Sequence, residues 1–484
     1  MSLPSLKRVG PVLQPDPHRK LIRPFEPGNE QTARQIAARV MAIPEPQVRS
    51  LLEMVWSEFA GRHEHLEEFL HRRYRQVRRY LPPDAAPSPE RQLLLASYFT
   101  HEYSVEAAAL FNPSIVPHPD QTGLAEGALR FVLSLRATGE GHISSITFRT
   151  GVISPQHRIT VNPPARFLVE PERVWNAPYD QALFRRKLAE LGVGCDFCWR
   201  VLDQLPDQFT MAQLQHALAT ARAKADPGDP TVERAARGMI LLAESNYQMR
   251  FPPGCQVSQQ VLFPHTPSQR NGIEDARFVR FQDDDGTTTY YATYTAYDGR
   301  IILPQLLETP DFNQFKFITL NGPAVQNKGM ALFPRRLQGR YAMLSRQDDE
   351  NIFLMYSDHL HFWHQRKLLV APQQPWELVK MGNCGSPIET EAGWLVLTHG
   401  VGPMRKYCLG ALLLDLKDPS KVIARSPTPL LSPNALEREG YVPNVVYSCG
   451  ALVHRGVLIL PYAWSDSATS FATVPVADLL ASLG

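Results

Sequence analysis

The sequence predicts a mainly β fold, a five-bladed β-propeller with an N-terminal helical segment and a helical insertion between its first two blades. Three observations carry that expectation. Short runs of Val, Ile, Leu, Tyr, Phe and Thr alternate with polar residues and end in Gly, Asp or Asn, which is the chemistry of strands and tight turns. The runs recur as one unit, five times over, and the last four copies follow one another every ~50–60 residues, in the range of propeller blades. Helical spacing is confined to two tracts, around residues 31–80 and 181–245.

Residues 1–30 are rich in Pro and charge and read as an extended arm. In the first helical tract Leu51, Leu52, Met54, Val55, Phe59, Leu66, Phe69 and Leu70 return at three- and four-residue spacing, until Pro82, Pro83, Pro87 and Pro89 end the pattern. Residues 1–100 are therefore expected to form the arm and helical region, and residues 101–484 the propeller. The densest basic run, residues 71–79, reads as a solvated helix face. The second tract carries Leu183, Phe184, Leu188 and Leu191, then residues 214–223; Asp226-Pro-Gly-Asp-Pro230 breaks it before a helix over 231–244. It interrupts an otherwise regular repeat, so it is expected to pack outside the propeller with the N-terminal helices.

Each repeat has a lead strand, a strand ending in polar groups, a turn and a further strand. Phe131-Val-Leu-Ser-Leu-Arg136 precedes His142-Ile-Ser-Ser-Ile-Thr-Phe148, and residues 290–297 precede Ile301-Ile-Leu-Pro-Gln-Leu306. Arg340-Tyr-Ala-Met-Leu-Ser-Arg346 precedes Ile352-Phe-Leu-Met-Tyr-Ser-Asp358, and Trp394-Leu-Val-Leu-Thr-His399 precedes residues 407–415. Val457-Leu-Ile-Leu-Pro-Tyr462 precedes Ser470-Phe-Ala-Thr-Val474. A β-sandwich is the competing architecture; regular repetition of a unit of four-strand size favours the propeller.

Composition limits function. Of 484 residues, 44% are apolar and 20% charged, and the formal net charge is +2 with both signs interspersed. No concentrated basic face is available for duplex nucleic acid. No stretch approaches the ~20 apolar residues of a membrane helix, and the first residues lack the apolar core of a signal peptide, so the cytoplasm is the expected compartment. Six cysteines in this length do not make a disulfide framework. Cys195 and Cys198 form a lone C-x-x-C with no second pair, read as two reduced thiols on one helix rather than a zinc site.

The repeat also locates a site. Equivalent positions in each blade share a depth around the channel. Aligning the polar ends of the second strands brings together Arg136, Thr295, Arg346, His399 and Tyr462, while the lead strands contribute Asn112, Asp275, Lys328 and Ser386. A ring with a carboxylate, several basic groups and hydroxyls suits an anion or a polar substrate. Singly, each has a plainer reading: Glu274-Asp275 with Arg277 as a surface ion pair, His399 as a hydrogen-bonded core histidine, Gly382-Asn-Cys-Gly385 and Gly400-Val-Gly-Pro403 as turns.

The motifs Asn271-Gly-Ile-Glu-Asp-Ala-Arg277, Tyr294-Thr-Ala-Tyr-Asp298, Lys328-Gly-Met-Ala-Leu-Phe-Pro334 and Gly385-Ser-Pro-Ile-Glu-Thr-Glu391 resemble glycoside hydrolase family 130. So do His399-Gly-Val-Gly-Pro403, Asp418-Pro-Ser-Lys421 and Tyr441-Val-Pro-Asn-Val445, in the same order and over roughly residues 102–175 and 246–484. The resemblance implies β-mannoside phosphorolysis, or in some members hydrolysis, on a five-bladed propeller. It implies Asp275 as the general acid, Lys328, Arg346 and His399 as the phosphate-binding groups, and Asn112, Arg136 and Asp466 at the sugar, with Tyr462 added from the ring. Ala276 stands where the family motif has Pro, and Lys328 offers phosphate a point charge where Arg would offer a fork. The expected reaction is inverting transfer of mannose from a short β-1,2- or β-1,4-mannoside to inorganic phosphate, giving α-mannose 1-phosphate without metal or organic cofactor. The expected partners are a manno-oligosaccharide and phosphate, with the helical additions available for contacts in a homo-oligomer. The alternatives are a hydrolytic β-mannosidase, with Asp466 or Glu389 activating water, and a non-catalytic carbohydrate-binding propeller.

Overall fold

The computed structural model describes residues 6–226, 228–300 and 302–484. The first residue of the run starting at Ile301 and Pro227 in the break between helices thus lie outside the described residues. The fold is mainly β, with two helical additions.

Five antiparallel meanders follow one another along the chain. The first contains Ala109–Pro117, Leu129–Thr138 and Ser144–Ile153, edged by Ile159–Val161 and Val261–Leu262. The second contains Gly272–Gln282, Thr288–Tyr297, Ile302–Thr309 and Gln314–Thr319, and continues outward through Tyr247–Arg250 to Glu172–Arg173. One parallel bridge, Gly272 to Ser144, joins these two at their inner ends. Lys328–Leu332, Tyr341–Arg346, Ile352–Ser357 and Lys367–Val370 form the third. Lys380–Asn383 with Ile388–Thr390, then Gly393–Val401, Tyr407–Leu414 and Val422–Arg425 form the fourth. In the fifth, Val446–Tyr447 and Leu452–His454 pair with Val457–Trp464, which pairs with Ala468–Pro475.

The N-terminal segment, expected as an extended arm, is extended over Lys7–Leu13 and paired. Lys7–Leu13 pairs antiparallel with Ala468–Pro475 and is the outer strand of the fifth sheet, so the two ends of the chain close one meander. Lys20–Pro24 pairs with Thr100–Ser104 and ties the helical region to the start of the first sheet.

Central strands such as Gly393–Val401 are buried throughout, which is why they read as continuous apolar runs, whereas the outermost Lys367–Val370 and Val422–Arg425 are partly exposed, the first with Lys367 on the sheet edge. Successive sheets pack face to face through separate apolar cores. Val132 and Phe148 of the first sheet meet Phe278 and Leu307 of the second. Phe281 and Leu306 then meet Met330 and Met343 of the third, and Leu344 and Leu354 meet Trp394 and Val396 of the fourth. Leu397 and Leu409 meet Leu458 and Leu460 of the fifth. The last core returns to the beginning, with Ile459 and Phe471 against Leu133 and Leu135.

The N-terminal helices are α1 (Glu30–Met41), α2 (Glu45–Phe59), α3 (Leu66–Val77) and α4 (Pro89–Tyr98); the inserted ones are α5 (Gln181–Glu190), α6 (Asp196–Leu202), α7 (Met211–Arg222) and α8 (Pro230–Ser245). Asn29, Ser88, Asp180, Thr210 and Asp229 cap five of them through side-chain oxygens on backbone N–H groups. The two groups do not share one core, as expected from sequence, but have one each. The insertion docks on the second sheet through Lys187, whose ammonium donates to Asn246 Oδ1 at 2.7 Å and to the Thr319 carbonyl at 3.0 Å. The basic run in α3 is largely solvated, except that Arg73 is buried and donates to the Phe99 and Phe25 carbonyls. Cys195 stands at the N-cap of α6 with its sulfur 3.7 Å from that of Cys198, both free thiols.

Candidate active site

In the first three sheets the lead strand is bulged at one level. From Phe111 to Ser114, from Glu274 to Arg277 and from Lys328 to Ala331 it takes three steps while its partner takes two. The lead strands of the fourth and fifth sheets break at the same place, after Asn383 and after Tyr447. A bulge turns a side chain out of the pleat and into the space beyond the strand. Asn112 and Asp275 occupy the first two bulges with left-handed backbones, at φ +48° and +55°, a conformation that Asn and Asp adopt more readily than most residues.

These positions open on a polar cavity of about 160 Å³. Asn112, Arg136, Asp275, Lys328, Arg346, His399 and Asp466 line it together, so seven of the residues singled out in the sequence meet in one space. Tyr462 does not. Tyr447 of the fifth sheet's lead strand pairs with Ala463, so Tyr462, one residue on, points to the opposite face. There its buried hydroxyl donates to Glu437 Oε1 at 2.7 Å. Thr295 and Ser386 from the proposed ring are also not among the lining residues. Glu389, considered as a base, pairs with Arg335 on the surface.

Asp275 is almost fully buried and its Oδ1 accepts from Asn112 Nδ2 at 2.6 Å and Arg136 Nη1 at 3.2 Å. Arg136 also donates to Glu274 Oε1 at 2.7 Å and Ser144 Oγ at 2.9 Å. Burial pushes the Asp275 carboxyl up, but the charges of Arg136, Arg277 and Lys328 outweigh it and hold the group at about 2. Arg277 lies beneath, donating to the carbonyls of Cys384 and Asp275 and to the Tyr447 hydroxyl. Asp466 is the contrast. Burial raises its carboxyl to about 6, and the neighbouring charge of Asp275 adds to this against the pull of Arg136.

On the other side Arg346 Nη1 donates to His399 Nε2 at 2.8 Å. That bond places the imidazole proton on Nδ1. Burial lowers the His399 pKa well below the ordinary range, with the charges of Arg346 and Arg277 reinforcing it, so the ring is neutral. His399 therefore orients Arg346 and adds no charge of its own. Gly382 makes room for the pair: a Cβ there would come within 2.6 Å of His399 Cε1 and 2.8 Å of Arg346 Cδ. Lys380, Arg405, Tyr407 and Tyr447 complete the polar wall, none of them singled out from the sequence.

A larger cleft of about 640 Å³ lies between α3 and residues 167–174. Its charges are cross-paired, as in Arg72 with Glu172 at 3.2 Å. Chemistry, not size, selects the smaller cavity, which gathers carboxylates and convergent basic groups with buried polar atoms lacking partners, among them Asn112 Oδ1, Arg346 Nε and His399 Nδ1.

The cavity thus combines one buried acid of lowered pKa, one acid of raised pKa and several cations, a set suited to a polar substrate accompanied by an anion. A family model described as beta-1,4-mannooligosaccharide phosphorylase matches residues 232–483. The 1,2-beta-oligomannan phosphorylase of Thermoanaerobacter sp. (strain X514) is 36% identical over 232 residues, 46% of this chain and 75% of that one. A beta-1,2-mannobiose phosphorylase of the same organism is 37% identical over 221 residues, 44% of this chain and 70% of the relative. The beta-1,2-mannobiose phosphorylase of Listeria innocua is 32% identical over 229 residues, 46% of this chain and 63% of the relative. The chain belongs to glycoside hydrolase family 130.

Proposed function

We propose that this chain is a phosphorylase of short β-mannosides and that its five sheets are the blades of a five-bladed propeller around the Asp275 cavity. The observation that carries the reading is the convergence of Arg346, Lys328 and Lys380 on the same small space as a buried carboxyl. An inverting hydrolase needs a second carboxylate to activate water, whereas a phosphorylase needs cations to bring phosphate to the sugar. The named phosphorylase relatives support the same reading, and since they include enzymes of β-1,2- and β-1,4-linked substrates, the linkage here is left as one of those two.

In this reaction Asn112, Arg136 and Asp466 hold the mannose at the cleaved bond. Lys328 and Arg346, oriented by His399, hold phosphate for attack on C1 from the face opposite the leaving group. The C1–O bond to the leaving sugar breaks as the C1–O bond to phosphate forms. Asp275 gives its proton to the leaving oxygen, hydrogen phosphate releases one to solvent as its ester bond forms, and the carboxylate is reprotonated from solvent, so the protons balance over the turnover. Asp275 is ionised in the free protein; a bound phosphate offsets the cations that keep it so, and a bound sugar excludes water, both of which raise the carboxyl and let it take the proton. No metal or organic cofactor is required.

Hydrolysis has one observation in its favour: Asp466 lines the cavity, and burial raises its carboxyl to about 6, within reach of a general base. The deciding measurement incubates β-1,2- and β-1,4-mannobiose with the protein, with and without inorganic phosphate, and follows products by phosphorus NMR. Phosphorolysis predicts mannose 1-phosphate and no sugar release without phosphate. Equal release in both would transfer the reading to the hydrolase.

A further inference from the structure

Arg346 and Lys380 reach the cavity from neighbouring sheets, the third and the fourth. Two like charges converging on one small space repel each other, and the four-carbon stem of lysine lets its ammonium swing away. Asp349 meets both. Its Oδ2 accepts a hydrogen bond from Lys380 Nζ at 2.8 Å, and its Oδ1 lies 3.2 Å from Arg346 Nη2 as an ion pair without hydrogen-bond geometry. It is not itself a wall of the cavity, but stands behind the two cations that are.

The turn between Tyr341–Arg346 and Ile352–Ser357 holds it there. Asp349 is left-handed, at φ +62°, and the preceding Asp348 fastens the turn by accepting from the backbone N–H groups of Glu350 at 2.9 Å and Asn351 at 2.8 Å. Burial works against its ionisation, but the hydrogen bond from Lys380 and the charge of Arg346 win, and its carboxyl lies below the ordinary range. On the opposite wall Arg136 is steadied in the same way by Glu274 and Asp275.

We propose that Asp349 is a positioning residue of the anion pocket, its two carboxylate oxygens setting the separation at which the Arg346 guanidinium and the Lys380 ammonium both reach one bound phosphate. The inference rests on the phosphorolysis reading. Asp349 is not among the residues that line the cavity, so it acts on phosphate only through the two cations it contacts.

The test compares the full-length protein with Asp349→Asn, which keeps the shape and removes the charge, and with Asp349→Glu. Phosphate is varied at saturating mannobiose, then mannobiose at saturating phosphate. Asp349→Asn is expected to raise the KM for phosphate about 10-fold, in line with loss of a charge-assisted contact. The kcat and the KM for mannobiose should stay within about twofold, the thermal midpoint should hold, and Asp349→Glu should recover part of the loss. An unchanged or lowered KM for phosphate would overturn the proposal. So would a parallel fall of every constant with the thermal midpoint, the mark of a merely structural turn. Should Asp349→Asn not fold, Asp349→Glu carries the test alone, because displacing the carboxylate by one methylene must then move the phosphate constant and no other. Sugar release by the native protein without phosphate would defeat the phosphorolysis reading and the proposal together. Phosphate dependence in the native protein with an unaltered variant would defeat the role of Asp349 alone.

Discussion

Two clusters of buried charge in this molecule use the same residue types to opposite ends. One joins the N-terminal segment to the first sheet. Glu106, fully buried, accepts from Arg19 Nε at 2.8 Å and from Arg149 Nη2 at 2.8 Å on both oxygens. The remaining donors of Arg19 go to the carbonyls of Ala165 and Ser258 at 2.9 Å and to Thr147 Oγ1 at 3.3 Å. None of these three side chains has a buried polar atom without a partner. The Asp275 cavity, more open to solvent and as rich in arginine, leaves Asn112 Oδ1, Arg346 Nε and His399 Nδ1 unpartnered. Saturation separates them. A network whose every atom is paired can only hold its segment in place, whereas one with orphan donors and acceptors has hydrogen-bonding capacity left for a ligand.

The contrast breaks if the two clusters respond alike to loss of a carboxylate. In the cavity Asp275→Asn keeps the size and most contacts but cannot carry a proton, so turnover should fall by roughly 100- to 10,000-fold, with the variant folded by circular dichroism. Near-normal turnover would place the acid elsewhere. In the saturated cluster the effect should appear in stability instead. Glu106→Gln strands two buried guanidiniums, and removing one partner of a buried ion network costs ~3–5 kcal/mol. Urea unfolding followed by fluorescence would measure it, and the surviving folded fraction should keep its specific activity. A loss below about 1 kcal/mol, the scale of exposed pairs, would mean that water enters the cluster.

Much of this was legible in the sequence because it is carried by repetition. Asn112, Asp275, Lys328, Arg346 and His399 sit at repeat positions that the bulges bring to one level, and the apolar runs mark the central strands that hold them. Lys380 had a signal that went unread, since it opens the lead strand of the fourth sheet much as Lys328 opens that of the third. Tyr462 was misplaced because strand alternation turns a one-residue error of register into the opposite face of the sheet. Arg405 was out of reach for another reason. It follows Met404 in a tight turn where both are left-handed, at φ +54° and +57°, and neither residue type announces such a backbone. The pairing of Lys7–Leu13 with Ala468–Pro475 joins segments from opposite ends of the chain, and no local pattern encodes so distant a partner.

The smallest effect offers the sharpest test of the comparison, because it asks whether a carboxylate in the cavity is held as a satisfied anion. Asp466 is not. Its carboxyl is raised from 3.8 to about 6, chiefly by burial and further by the charge of Asp275. Between those values the folded chain binds a proton that the unfolded chain has released, so the contribution of Asp466 to stability falls as pH rises through that window. Above it the penalty is constant. Asp275 has the reverse sign: lowered from 3.8 to about 2, it adds stability above 3.8 that is lost as pH falls through 2. Asp466→Asn removes the carboxylate whose burial is unfavourable, and should make the protein more stable near neutral pH by up to ~3 kcal/mol, about two pKa units at ~1.4 kcal/mol each. The advantage should shrink as pH falls and be small near pH 4, where the folded-state carboxyl is protonated and the unfolded-state one is roughly half so. Urea unfolding at about pH 4, 5.5 and 7 gives the three differences, with the midpoint concentration as the readout. An Asn variant less stable than the native protein at neutral pH would show that Asp466 is held as Glu106 is, and that the cavity spends its carboxylates on holding the fold together.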